Sequence, residues 1–369
     1  MIIGRGVIAL TGAFELLKRG FDVTLFGPKE TRGVASYAAV GISSIKGLRV
    51  ARDDFFREKL SGHRRFLKFI KNIEQHAGVK VPTVNGVGEY FSSLQDYQQL
   101  RERTYHGEFT GLFEAEIQSS INVGKYHLLS QHLKKRPISG LFYYPDDLWF
   151  DPCAFLQSLE LAIIKLGGRI VDDYAEKIAL YREKEFKVVG KLGSLCTENL
   201  VLACGPTVPK LMVDLTKVKL PFLTVSGQTL IANGHSKARE TFRIGRKALS
   251  LYGEKLRYGS MDFPKNHTPS KSDIESTQVK LLNELRSDFS LDVANAKSLW
   301  GTRLALKDRR PVIGKLPCEG DRGLWISCGY HKSGFSLAEL SSKVLAELLE
   351  NQLENNGQFY SVSRFYRSP

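Results

Sequence analysis

Apolar residues fall on two spacings along this chain, and the switches between them mark out its elements. The opening stretch, MIIGRGVIALTGAFELLKRGFDVTLFGP, begins with a short apolar segment and a glycine-rich turn. It continues as a helix ending at Gly20 and returns as the strand FDVTLF. Residues 54–78 carry Phe55, Phe56, Leu60, Phe66, Phe69, Ile70 and Ile73 at helical spacing with heavy charge between, which predicts a long amphipathic helix. Residues 86–93 and 140–144 read as short strands. Asp151 followed by Pro152 is a helix start, with an acceptor at the cap and proline at the first helical position. That helix is expected to run to about Leu166, where two glycines end it. RIVDD then reads as a strand, KIALYR and FKVVGK as a hairpin or meander, and NLVLACGP as a short buried strand. Residues 218–263 look β-rich and residues 271–288 helical. GLWISCGYHKSGFSLAELSSKVLAELLENQ closes the pattern as strand, glycine-rich turn and helix.

The chain's 369 residues allow two domains, or one large domain with an insertion. No apolar run approaches the roughly 18 residues of a membrane span, and no secretory pattern precedes the first turn, so a cytoplasmic location is expected. The five cysteines are scattered without CxxC spacing, which argues against a disulfide framework or a zinc site. The formal net charge of +14 reads first as a solvated basic surface, because the basic residues are spread along the chain; nucleic acid, an anionic membrane surface or an anionic cofactor are the alternatives.

The glycine turn carries the first chemistry. Gly4, Gly6 and Ala9 stand at the positions of a GxGxxG/A phosphate turn. The first residue there allows the tight bend, the second the approach of a pyrophosphate, the third close helix–strand packing. Backbone N–H groups at the helix start would meet the pyrophosphate, helped by the helix dipole. The carboxylate that normally ends the second strand is missing, because Gly27 stands there. Glu30 is the nearest candidate for a ribose hydroxyl, with a solvated loop role as the alternative; Lys29 and Arg32 are also close.

Four segments in order, RGVASYAAVGISSIKG, NLVLACGP, WGTRLALKDRRPVIGKLP and GLWISCGYHKSGFSLAEL, together with the opening turn, resemble the FAD-dependent D-amino-acid oxidase superfamily, which includes glycine and sarcosine oxidases. The resemblance runs from residue 1 to about residue 350. It implies non-covalent FAD with its pyrophosphate at Gly4, Gly6, Val7 and Ile8. It further implies cofactor contacts from Ala35, Ser36, Gly41, Ile42, Lys177, Ile178, Ala203, Cys204 and Gly205. The turn Gly329 to Ser336, with Lys332, Ser333, Gly334 and Phe335, is expected at the flavin's pyrimidine edge. The covalent-flavin cysteine of sarcosine oxidase has no counterpart; Cys318 lies in the right region but the wrong context.

In such enzymes the flavin accepts a hydride from the carbon beside an amine, and the protein orients the substrate and tunes charge. Arg303 matches the family's carboxylate-binding arginine, a role its guanidinium fork suits, with a structural ion pair as the alternative. Lys332 would meet a carboxylate, stabilise negative charge near the flavin or lie on the surface. His331 is a candidate acid or base, or a packing residue. Tyr258, Met261 and Tyr330 are expected to line the substrate. Asp308 is read as a turn residue. The resemblance thus implies oxidation of a C–N bond in a small amine or amino acid, with oxygen as acceptor. DVTLFGPKE, VSGQTLIA, YGSMD and TRLALKDRRPVIGKLP also resemble the FAD domain of the bacterial enzyme that trims carboxymethylaminomethyl-uridine in tRNA, so a stand-alone tRNA-modifying oxidase is the alternative, with tRNA as its partner. The expected fold is α/β, α+β overall. A Rossmann-like FAD-binding domain with ββα layers would comprise residues 1–79, 138–214 and 296–369. An antiparallel-sheet substrate domain would comprise 80–137 and 215–295. No metal is expected.

Overall fold

The computed structural model describes residues 1–30, 32–44, 54–105, 113–115, 139–233, 239–245, 247–289, 291, 293–351 and 360–365. Parts of the segments read as a substrate domain, 106–112, 116–137 and 234–238, lie outside the described residues.

A six-stranded sheet is built from the short apolar runs in the spatial order Val312–Lys315, Gly323–Cys328, Asn199–Leu202, Ile2–Ile3, Thr24–Phe26, Arg169–Val171. All neighbours pair in parallel except the first two strands. The strands are apolar on both faces because both faces are covered. Ile2, Leu25, Val201 and Trp325 meet the helices Val7–Lys18, Asp54–Ala77, Pro152–Lys165 and Ala338–Glu350. Their neighbours Ile3, Phe26, Leu200, Leu202 and Ile326 turn the other way. There they meet Ile178, Phe186 and Val188 of the meander Lys177–Tyr181, Glu185–Val189, Ser194–Thr197. This is the expected ββα layering. The helix starts also fall where the sequence puts them: Asp151 accepts from the Cys153 and Ala154 N–H groups at 2.9 and 3.4 Å, with Pro152 at the first position.

The second sheet has ten strands and is largely antiparallel. Its centre is the run Ala294–Leu306, Phe222–Asn233, Lys255–Lys265, Lys247–Tyr252. Gly33–Val34 pairs at one edge, Gly140–Phe150 and Ile42–Ser43 at the other. Residues 140–150 and 296–306, grouped above with the cofactor segments, are therefore strands of this sheet. Their alternating inward and outward positions belong to a two-faced sheet, a pattern that the apolar content alone did not separate from the parallel strands. The helix Lys271–Phe289 covers one face through Leu281, Leu285 and Phe289, packed on Leu230, Leu249, Leu251 and Tyr258. The other face looks back at the first sheet. There Thr229 donates to the Ala38 carbonyl at 2.7 Å, and Arg257 to those of Tyr37 and Ala39 at 3.3 and 3.0 Å.

Candidate active site

Four chain segments converge between the two sheets. Gly4 has a φ of +129°, and a Cβ there would stand 2.6 Å from the Ala203 carbonyl oxygen, so only glycine fits. Gly6 precedes the first helix and offers no capping side chain, and that helix has no acid in its first turn. Its positive end is therefore left to an anion, apart from the Val7 N–H, which donates to Ser36 Oγ at 3.0 Å. The Ile8 carbonyl is engaged by the Thr11 hydroxyl at 3.3 Å. The neighbouring Arg5 guanidinium is neutralised by Glu160 at 2.7 Å and Asp172 at 3.7 Å, which leaves backbone, not a side-chain charge, to address a ligand. From the C-terminal turn, Gly334 comes within 3.5 Å of Val7 measured from a would-be Cβ. Two glycine turns from opposite ends of the chain thus meet, a cradle suited to an extended dinucleotide.

The missing acid has a steric reason. A Cβ at Gly27 would lie 2.8 Å from the Gly4 carbonyl carbon. Glu30 does not bend back freely: its carboxylate accepts the Tyr174 hydroxyl. The stretch 33–43 is small because it lies flat against the large sheet. Ala35 is approached to 2.5 Å by a would-be Cβ at Gly301, and Gly41 to 2.1 Å of the Phe150 carbonyl. Ile42 pairs with Trp149. Ala203 is buried and Gly205 opens a 3-10 turn. Burial pushes the Cys204 thiol up to about 12. The Ile178 side chain is in the meander core, so any cofactor contact there comes from its backbone.

The charged part of the site is built on three adjacent strands. Arg303 on Ala294–Leu306 reaches across Gly227 on Phe222–Asn233 to Asp262 on Lys255–Lys265. Its Nη1 donates to Asp262 Oδ1 at 2.7 Å and its Nη2 to Ser260 Oγ at 3.4 Å. A Cβ at Gly227 would stand 2.7 Å from Nη2, so the guanidinium lies over a glycine because nothing larger fits. Lys332 donates to Asp262 Oδ2 at 2.6 Å. Burial opposes ionisation of Asp262, but the Arg303 and Lys332 charges and hydrogen bonds win and hold its carboxyl below the usual range. His331 has φ +51° and its N–H donates to the Leu304 carbonyl at 3.1 Å, which pins the turn to the sheet. Burial, reinforced by the Arg303 and Lys332 charges, lowers its imidazole to about 4, so it is neutral near pH 7.

Arg303, Lys332 and His331 are thus brought together as the sequence suggests. Three expected substrate residues are not. Tyr258 and Met261 point to the opposite face, packed toward the helix Lys271–Phe289, and the Tyr258 hydroxyl donates to Glu284 at 3.1 Å. Tyr330 is buried in the helix-side core with its hydroxyl 2.8 Å from Ser327 Oγ. In the turn, Ser333 N–H closes on the Tyr330 carbonyl and Ser336 Oγ on the Ser333 carbonyl. Phe335 stacks edge-on against Phe150 at 4.9 Å. Asp262 was missed, and the reason is a bulge. Gly259 pairs with Thr229 but Met261 with Gln228, so Ser260 is the extra residue and the alternation flips there. Simple period-two counting groups Asp262 with Tyr258; the fold puts it with Arg303.

A second buried polar array joins Ser43, His63, Asp147 and Arg243. Ser43 Oγ lies 3.0 Å from His63 Nδ1, His63 Nε2 lies 3.5 Å from Asp147, and Arg243 lies 3.4 Å from Asp147. The serine is 1% exposed, so the array ties the long helix to the sheet rather than presenting a nucleophile.

Residues 1–348 match the model of the family described as DAO, FAD dependent oxidoreductase. D-amino acid dehydrogenase of Chromohalobacter salexigens is 25% identical over 95% of this chain and 95% of its own. The tRNA 5-methylaminomethyl-2-thiouridine biosynthesis bifunctional protein MnmC of Ectopseudomonas mendocina is 28% identical over 58% of this chain, but only 37% of that protein is covered. The crystal structure of glycine oxidase from Geobacillus kaustophilus superposes with a TM-score of 0.79 at 19% identity, over 100% of this chain and 98% of that one.

Proposed function

The chain belongs to the DAO family of FAD-dependent oxidoreductases, which act on amino acids and amines, and we propose that it oxidises a C–N bond in a small amine or amino acid with oxygen as the final acceptor. FAD would supply the two-electron acceptor: the carbon beside the nitrogen would lose a hydride to it and the nitrogen its proton to solvent, leaving an imine, and reoxidation by oxygen with two protons would give hydrogen peroxide. What the chain itself contributes is charge and placement. The observation that carries the reading is the Arg303–Asp262–Lys332–His331 cluster, which joins the large sheet to the C-terminal glycine turn. Neutral His331 adds no further positive charge beside an amine nitrogen. Lys332 and Arg303 supply net positive charge where electrons arrive. The two glycine turns hold the pyrophosphate by backbone, without a covalent link. The half-buried Cys318 thiol, raised by burial, is a poor nucleophile for such a link.

The test is peroxide release with a panel of amines and amino acids. Arg303→Ala is expected to lower kcat/KM by about 100-fold, the order of a lost charge-assisted hydrogen-bond pair. An unchanged kcat/KM would remove Arg303 from the site. The partial match to MnmC and the +14 charge favour a second reading, a stand-alone oxidase acting on a wobble-uridine side chain in tRNA. Tight, salt-sensitive binding of bulk tRNA would favour it over a free amine.

A further inference from the structure

We propose that Asp262 is a built-in carboxylate occupying the fork between Arg303 and Lys332, so that the substrate is an amine bringing no carboxylate to that fork. The inference rests on the oxidase reading above and narrows its substrate class.

Asp262 satisfies both cations in the manner of a substrate carboxylate, one oxygen to each, at 2.7 and 2.6 Å. The guanidinium cannot swing away to offer a second face. Gly227 backs it closely, Ser260 holds Nη2, and the Arg303 side chain is only 13% exposed. An incoming carboxylate must therefore displace Asp262 or share its cations with it. Displacement competes with a tethered group whose effective concentration is in the millimolar range or above. Sharing places two carboxylates side by side, which disfavours the charged form of both. An amine without a carboxylate meets neither obstacle. It leaves the trio intact, and each Asp262 oxygen retains a lone pair that accepts an N–H. The neutral His331 adds no repulsion.

The experiment uses the FAD-loaded protein, Asp262→Asn and, as a control for lost charge elsewhere, Asp214→Asn at an exposed position. Acetate and benzoate binding is measured by calorimetry and by perturbation of the flavin spectrum. Asp262→Asn is expected to bind both carboxylates at least tenfold more tightly than the wild type, while Asp214→Asn does not change. Equal affinities in wild type and Asp262→Asn, or weaker binding in Asp262→Asn, would overturn the proposal; the weaker binding would make Asp262 a residue that positions Arg303. The two readings fail separately. A chain that takes up no FAD, yet gains acetate affinity in Asp262→Asn by calorimetry, loses the oxidase reading and keeps the occupied fork. A wild type bleached by glycine and binding acetate as tightly as the variant keeps the oxidase and loses the occupied fork.

Discussion

A single methyl group at Gly4 tests the nucleotide turn most sharply. Gly4→Ala forces a side chain into a φ of +129° and against the Ala203 carbonyl. The backbone strain alone is expected to cost about 1–3 kcal/mol, read as a lower urea midpoint with reduced FAD retention. Gly6→Ala meets only Ser36 Oγ, at 3.2 Å, and is expected to cost less. His331 gives the pH dependence. Its imidazole titrates near 4 when folded and near its ordinary 6.5 when unfolded, so between these values the unfolded chain binds more protons. Stability is then expected to fall as pH drops from about 6.5 towards 4, and to be full above that window. His63, lowered by burial, adds in the same direction. Urea midpoints at pH 7 and 4.5 check this, and His331→Gln should flatten part of the decline. At this scale Arg303, Lys332 and His331 were legible because local motifs carry them. Asp262 was not, because the bulge at Ser260 that re-aims it leaves no mark in a hydrophobic pattern.

The helix Pro152–Lys165 shows how one element ties the halves together. Asp151 caps it and also lies 3.5 Å from Arg257 and 3.4 Å from Lys255 on the large sheet. Asp151→Ala is expected to cost about 2 kcal/mol, a lost cap together with a less well compensated Arg257. Asp151→Asn keeps the cap and should cost about half as much, which a pair of denaturant titrations separates. This cap was readable because its signal is three residues long. The long helix Asp54–Ala77 was readable because its apolar stripe repeats over many turns. The strand expected over 140–144 extends over Gly140–Phe150, and the strand Ala294–Leu306 has no counterpart among the expected elements. Which sheet a strand joins depends on partners distant in sequence: Ala294–Leu306 pairs with Phe222–Asn233 and Gly33–Val34. No local pattern encodes that choice.

For the whole molecule, the layering of a parallel sheet between helices and a meander, with a large antiparallel sheet facing it, followed from the order of motifs. How the two units share the site did not, since the glycine turns and the charged cluster meet only after the chain has crossed between the sheets. The net charge of +14 makes a separate expectation. Any tRNA binding should weaken steeply between low and moderate salt, and a carboxylate-bearing RNA side chain would meet the same occupied fork at Asp262. Oxidation of a C–N bond with FAD is the activity proposed for this chain. Its most direct test is the visible spectrum of the purified protein, followed without oxygen as amines and amino acids are added. The expected result is a yellow protein whose flavin band bleaches with an amine and returns when air is admitted. A protein that stays colourless after incubation with FAD, or a bound flavin that no amine or amino acid bleaches, would contradict it.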